Sequence, residues 1–437
     1  MTTKPSKVGD LEIELVDVDA EQLDTGYGTA TGTELEPDER LIVEGSGVGG
    51  AVRGFGRRLA QGELGNLPVL LGIVVICIVF QLLNQRFLSP TNLTNLVLQI
   101  AAMGTISVGI VLVLLLGEID LSVGSVSGFA AAVMAVLNVQ RGWGAAAAIA
   151  AAIAVGLAIG VFQGLWITKL RVPSFVVTLA GLLAWQGALL YVLGGTGTIN
   201  ITDEGIIDLT ATFFGPAISW TIALGALAIY LASVVLTRTR RHAAGVPVTP
   251  VQVVVARFVA LAIVVVGATV MFGRDRGLPL AAVILVGFVV FFDQLTRRTR
   301  WGRHLYAVGG NAEAARRAGI SVDGVRLTVF TICSGMAAVG GILAASRLLA
   351  VNQSSGGSDL LLNSIAAAVI GGTSLFGGRG SAWSALLGAL VIGSISNGMD
   401  LLNVQSSVKF MVTGAVLLAA VTIDAVSRRG RVTAGRA

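Results

Sequence analysis

The sequence predicts an all-α fold: a polytopic transmembrane helical bundle of about 12 apolar segments, some of them broken or re-entrant. Three observations predict it. The 437 residues are 54% hydrophobic, with a mean hydropathy of +0.83. Only 13% are charged, about half of the roughly 25% found in soluble domains. The apolar residues gather in repeated runs close to the ~20 residues that a helix needs to cross a hydrocarbon core.

The runs lie at about 67–85, 93–116, 121–138, 143–167, 173–193, 216–236, 251–273, 278–294, 327–348, 361–377, 381–398 and 407–426. Those at 121–138 and 361–377 are short or glycine-rich and are the ones expected to be broken or re-entrant. Irregular backbone is tolerated at membrane depth only where protein covers it or a cavity adjoins it. Gly156, Gly160 and Gly164 recur every fourth residue, and Gly124 and Gly128 form a shorter version. Small residues at that spacing let helix backbones approach closely in lipid.

Charge divides the chain. Residues 1–50 hold 12 acidic and 3 basic residues, net −9, and the remainder sums to +14. An acidic, almost aromatic-free segment buries too little apolar surface to order itself, so 1–60 reads as a disordered cytoplasmic tail and 61–430 as the membrane domain. The first apolar run begins near Leu67, too far along for a cleavable signal peptide, and the first span reads as an uncleaved anchor. One set of alternating loops carries Lys169 and Arg171; Arg238, Arg240 and Arg241; then Arg297, Arg298, Arg300, Arg303, Arg316 and Arg317. The C-terminal tail adds Arg428, Arg429 and Arg431. The opposite set holds mainly Arg86, Arg141, Arg274 and Arg276. Excess Lys and Arg mark cytoplasmic loops, so both termini are expected in the cytoplasm. The outward loops are short apart from 194–215, which leaves no substrate-capturing domain on this chain.

Several function classes fall away. Cys77 and Cys333 lie in apolar runs and His242 and His304 in basic loops, so no metal-binding constellation exists, and no cofactor is expected. No G-x-x-x-x-G-K-[ST] phosphate loop occurs. An intramembrane enzyme needs a nucleophile and base within the spans, and no His lies in any. Ionisable residues sit at breaks or ends: Glu118 and Asp120 at a break, Asp293 and Asp424 at cytoplasmic ends, Asp400 at an outer end. Arg257 and Lys409 lie near span edges, where long side chains reach the interface. Ion-coupled transporters place such groups mid-span. Their scarcity favours a neutral polar solute moved by energy supplied from elsewhere. Candidate pathway residues are then neutral hydrogen-bonding side chains: Asn95, Gln99, Ser122, Ser125, Gln163, Gln186, Asn363, Ser364 and Asn397. The same groups also serve as helix–helix glue at about 0.6 kcal/mol per interhelical hydrogen bond.

The basic stretch 295–326 is the most informative soluble segment. Asn311 can cap a helix start, Glu313 then faces the positive end of the dipole, and Arg316 and Arg317 face the negative end. Gly319 supplies the left-handed residue that ends such a helix. A helix of two turns is too short to stand alone and needs a partner surface, either a protein or anionic lipid headgroups.

Residues 302–320 resemble the coupling loop of sugar-type ABC importer permeases, which typically reads G-R-x-x-Y-A-I-G-G-N-x-E-A-A-R-x-x-G-I. The matching positions are Gly302, Arg303, Tyr306, Ala307, Gly309, Gly310, Asn311, Glu313, Ala314, Ala315, Arg316, Gly319 and Ile320. G-E-I-D-L-S-V-G-S at 117–125, V-P-S-F-V-V-T-L-A-G at 172–181 and I-A-A-A-V-I-G-G-T-S-L-F-G-G-R-G at 365–380 are similar to motifs of the same ribose, xylose and galactose permease family. Glu118 and the extra pair of spans at 251–294 are closest to the xylose-type members. Asn363 and Ser364 stand where relatives often carry Asp-Ala, and Thr413 where many carry Lys.

The resemblance implies a homodimeric permease in the inner membrane of a prokaryote. It implies cytoplasmic ATPase subunits, an extracytoplasmic sugar-binding protein, and no enzymatic activity on this chain. Gly302, Arg303, Asn311, Glu313, Ala314, Arg316 and Gly319 are the residues it assigns to coupling with the ATPase. A secondary transporter or channel for a small polar solute is the alternative.

Overall fold

The computed structural model describes residues 67–246, 248 and 250–433, and the expected acidic tail lies outside the described residues. Helices α1 (Leu67–Leu83), α2 (Pro90–Leu115), α3 (Val123–Ala135), α4 (Ala145–Lys169) and α5 (Ser174–Leu193) come first. A short α6 (Glu204–Ala211) precedes α7 (Pro216–Ala243), α8 (Val251–Gly273) and α9 (Leu280–Arg298). Two small helices, α10 (Arg300–Gly310) and α11 (Ala312–Arg317), lead into α12 (Val322–Leu348), α13 (Ser358–Ile370), α14 (Ala382–Leu401) and α15 (Ser406–Thr433). Each of the twelve apolar runs contributes a helix. Among the described residues nine are long and apolar enough to cross a membrane, and three apolar helices are shorter: Leu67–Leu83, Ser358–Ile370 and Ser406–Ala419.

Burial ranks the helices. In its most apolar stretch α2 is 89% buried, whereas α8 is 6% buried. The bundle therefore forms around α2, with α7 and α8 at the periphery facing lipid. Helix α12 packs along α2, α3 and α4. The predicted glycine stripe of α4 faces α12: a Cβ at Gly160 would lie 2.6 Å from the Phe330 carbonyl oxygen, and one at Gly156 2.8 Å from that of Ser334.

The two runs expected to be broken behave differently. Helix α3 continues without a break into a π-helical turn, Val136–Gln140, so of the two expectations for 121–138 the structure removes the break. Its glycines serve close approach instead: a Cβ at Gly128 would stand 2.1 Å from the Ser355 carbonyl oxygen. The run 361–377 is broken, since α13 stops at Ile370 and irregular backbone follows until α14.

The helices alternate between two ends. One end carries two antiparallel ribbons, β1 (Thr198–Asn200) with β4 (Ala350–Asn352) and β2 (Phe213–Phe214) with β3 (Leu278–Pro279). The loops after α1 and α14 join it, as Asn84 Nδ2 donates to the Leu401 carbonyl at 3.1 Å. The other end gathers the breaks at 116–122 and 371–381 with α10 and α11. This is the division into basic and weakly charged loops that the Lys and Arg pattern predicts.

Replacing Gly160 by Val is expected to destabilise the protein by at least about 1–3 kcal/mol, because the methyl groups meet backbone on α12. Gly187, with nothing within 4 Å of a Cβ, should tolerate Val at the smaller cost of helix propensity. Thermal unfolding of the two variants in detergent measures the difference.

Candidate functional site

The basic end is built outward from α9. Thr299 caps α10, its Oγ1 accepting from the Gly302 N–H at 3.1 Å. Helix α10 buries Gly302, Leu305 and Val308 on one face and ends at Gly310. The single residue Asn311, extended at φ −158°, separates it from α11, and its Oδ1 accepts from the Ala314 N–H at 2.9 Å. That is the predicted cap. Glu313 pairs with Arg316 at 3.2 Å and Arg317 at 3.4 Å, exposed contacts that add only a few tenths of a kcal/mol. Gly319 adopts φ +81°. Its N–H reaches the Arg316 carbonyl and the Ile320 N–H the Ala315 carbonyl, both at 3.0 Å, the paired bonds of a Schellman stop.

Only Ala315 of α11 is buried. Arg303, Asn311, Glu313, Ala314, Arg316 and Gly319 are all exposed and lie together on this end. Gly302 differs. It is buried, and a Cβ there would lie 1.9 Å from the Thr296 carbonyl oxygen, so its contribution is to let α10 fold tightly against the end of α9.

Three of the motifs distant in sequence meet beneath this surface. The Gly378 N–H donates to the Leu115 carbonyl at 2.9 Å, so the loop after α13 seals the open end of α2. Gly309 sits on the same carbonyl: a Cβ there would be 1.7 Å from the Leu115 oxygen. Gly377, at φ +84°, is wedged so that a Cβ would stand 2.6 Å from the Gly309 oxygen. Tyr306 clamps the group, its hydroxyl donating to the Gly380 carbonyl at 2.9 Å. Burial pushes that hydroxyl above its ordinary pKa, which keeps the donor proton in place. Alongside, Glu118 in the α2–α3 break pairs with Arg326 of α12 at 2.9 Å, with the two side chains only 14% and 29% exposed. The exposed loop is therefore fastened to the ends of α2, α12 and α13. The sequence shows each motif, but not their convergence.

The opposite end contains a cavity of about 690 Å³. Gln99 of α2, Ser127 of α3, Gln186 of α5 and Arg347 of α12 line it together with the polar run 352–359. Its volume falls in the ~300–1,000 Å³ range of small-molecule sites. Neutral amides and hydroxyls, with one guanidinium and the Asp359 carboxylate, offer both donors and acceptors to a hydroxylated solute. Sequence reasoning missed Arg347, Asn352, Gln353, Ser354, Ser355 and Asp359. The signal was present as N-Q-S-S-G-G-S-D between two apolar segments.

Of the nine candidate pathway residues, Gln99 and Gln186 alone line this cavity. Asn397 adjoins Gln99 at 3.4 Å and accepts from Asn92 Nδ2 at 2.7 Å. Asn95 accepts from Arg276 at 2.8 Å near the rim of that end. Ser122, Ser125 and Gln163 belong to a separate buried cluster, where the Ser122 hydroxyl donates to Asp120 at 2.6 Å and accepts from Gln163 Nε2 at 2.9 Å. The Ser364 carbonyl accepts from the Ser107 hydroxyl at 2.9 Å, tying α13 to α2, and Asn363 is half-buried beside it. Among the described residues no cluster of His, Cys, Asp and Glu is arranged to hold a metal ion.

A family described as branched-chain amino acid transport system / permease component matches residues 92–246 and 242–421. The chain is 36% identical over 346 residues to the xylose transport system permease protein XylH of Escherichia coli K12, spanning 79% of this chain and 88% of that one. It is 34% identical over 376 residues to XylH of Haemophilus influenzae, spanning 83% and 98%. It is 33% identical over 366 residues to the ribose import permease protein RbsC of Bacillus subtilis, spanning 83% and 94%. No solved structure matches the chain.

The junction makes a paired prediction. Gly309→Ala places a methyl group on the Leu115 carbonyl and should cost about 1–3 kcal/mol or prevent the junction from closing. Gly310→Ala, with nothing within 4 Å, should be close to neutral. Limited proteolysis of the 299–321 segment in the two purified variants reads the difference.

Proposed function

Because the chain belongs to the permease-component family of solute transport systems, we propose that it forms the membrane pathway of an ATP-driven sugar importer whose cargo is a pentose of the xylose type. The observation that carries this reading is the 36% identity to a xylose transport permease over 346 residues, 79% of this chain. The chain is a transport subunit and not an enzyme. Separate ATPase subunits hydrolyse ATP at the basic end, and an extracytoplasmic sugar-binding protein delivers its cargo at the other.

Both termini and the basic loops face the cytoplasm of a prokaryotic cell, a reading that the Lys and Arg distribution supports. Two copies assemble side by side in the inner membrane. Helix α11 docks in a groove on the ATPase, with Arg303, Asn311, Glu313, Ala314 and Arg316 at the contact. Gly302 and Gly319 set the angle at which it is presented. Closure of the ATPase dimer pushes α11. The clamp of Gly309, Leu115 and Gly378 carries that displacement to α2 and α13, and the two permease copies rock between outward-open and inward-open states. The cavity lined by Gln99, Gln186 and Arg347 is the outer mouth, and neutral hydrogen-bonding groups replace the water that a sugar leaves behind.

Reconstituted in liposomes with its ATPase and binding protein, the chain should import xylose only with ATP on the ATPase side and binding protein on the other. Import driven by a proton or sodium gradient without ATP would instead make it a secondary transporter, and downhill flux without either would make it a channel.

A further inference from the structure

The ion pair of Glu118 and Arg326, 2.9 Å long and largely sequestered, stands apart from the backbone clamp that seats α10 on α2. Each partner lies at a junction. Glu118 is in the turn that closes α2, where its N–H donates to the Val113 carbonyl at 3.2 Å. The preceding Gly117, at φ +75°, lies against the Phe376 carbonyl. Two residues further on, Asp120 Oδ1 accepts from the Ser122 N–H at 2.8 Å and from its hydroxyl at 2.6 Å, which fixes the start of α3. The break is therefore stiff, and α3 inherits its position from the turn that holds Glu118. Arg326 lies in the second turn of α12. Only residues 318–321 separate α12 from α11, and Ser321 caps α12 by accepting from the Gly324 N–H at 3.3 Å. A movement of α11 reaches Arg326 before it reaches the rest of α12.

Helices α3 and α12 meet again at the far end. A Cβ at Gly341 would lie 2.0 Å from the Ser127 carbonyl oxygen, so the two backbones touch there. Ser127 and Gly341 both line the outer cavity. Gly341 follows Arg326 by 15 residues, about 22 Å of helix. The two helices are thus fastened at two levels, by backbone contact beside the cavity and by charge at the basic end. The charged fastening is the adjustable one. It borders a recess of about 220 Å³ that Arg171, Arg316 and Asp323 also line. Arg316 belongs to α11, and Arg171, at φ +54°, to the loop between α4 and α5. Groups of both signs on one small space let the pair turn or lengthen without stranding a charge. Removal of one partner strands the other, which is far more costly in a sequestered site than at an exposed one.

We propose that Glu118 and Arg326 are positioning residues for transport: their ion pair carries the movement of α11, through the first turns of α12, to α3 and so to the wall of the outer cavity. This route is separate from the one through Gly309, Leu115 and Gly378, which serves α2 and α13. It rests on the reading of α11 as the ATPase contact and adds to it two residues that touch neither sugar nor ATPase.

The test uses the transporter assembled with its ATPase subunits in nanodiscs and follows ATP hydrolysis as xylose-loaded binding protein is titrated in. In Glu118→Gln the maximal stimulation over basal hydrolysis should fall on the order of tenfold, within the ~5–150-fold span of coupling between sites. The binding-protein concentration that gives half the response should stay unchanged, because docking at the other end is intact. Arg326→Lys keeps the charge and should keep most of the response. Glu118→Gln/Arg326→Gln should be no worse than Glu118→Gln alone, since both remove one interaction. Full stimulation in Glu118→Gln overturns the proposal, and so do additive losses in the double variant. A merely structural pair would lower thermal stability and the yield of assembled complex while sparing the stimulation of each complex that forms, and that result overturns it too. Gly319→Val separates this proposal from the reading beneath it. Loss of response there with full response in Glu118→Gln removes the ion pair alone from the coupling route, whereas full response in both removes α11 as the ATPase contact as well.

Discussion

A helix that ends inside a membrane protein leaves carbonyls that only the protein itself can satisfy, and the Leu115 carbonyl at the end of the most buried helix is where that requirement is met. It accepts the Gly378 N–H and lies against Gly309, so the loop after α13 and the last turn of α10 close over it. Glycine is required because backbone meets backbone, with no room for a Cβ at 309 or 377. The loop around α11 therefore inherits its position from the core. Its outer surface is free to meet a partner, while its inner surface is fixed on α2, α12 and the chain after α13.

The two ends follow different physics. At the basic end, close packing and buried hydrogen bonds hold exposed charged residues in a defined array, which suits the docking surface proposed for it. At the other end, the turn 352–359 is laid over α3 through Gly128 and leaves a polar hollow. Its lining is uncharged apart from Arg347 and Asp359, and a neutral hydroxylated solute would exchange hydrogen bonds there without a large desolvation cost. The cluster Asn92–Asn397–Gln99, which joins α2 to α14, adjoins this hollow through Gln99.

Much of this was legible from the residues. Hydropathy located every span, and the spacing of Gly156, Gly160 and Gly164 identified the face of α4 that packs on α12. Asn311, Glu313 and Gly319 gave the short capped helix, because caps and stops are local chemistry. Convergence was not legible. Nothing along the chain says that 115–117, 309 and 377–380 share one point, since that is decided by how the helices cross. For the same reason the neutral side chains chosen as pathway residues separated into distinct clusters, and Arg347 escaped notice because a single Arg at a span end also reads as an interfacial anchor. Glycine content misled at 121–138, where it signalled close approach to the 355–357 backbone rather than a break.

The central claim is that α11 reports the state of the ATPase to the membrane helices, and the stop at Gly319 tests it most directly. At φ +81° a β-branched residue is strongly disfavoured, whereas Asn tolerates that conformation. In the assembled transporter, Gly319→Val should insert and assemble normally, yet ATP hydrolysis should no longer rise when sugar-loaded binding protein is added. Gly319→Asn should keep most of the response. Full sugar-stimulated hydrolysis in Gly319→Val would contradict the account and leave lipid headgroups as the better partner for the arginines of α11.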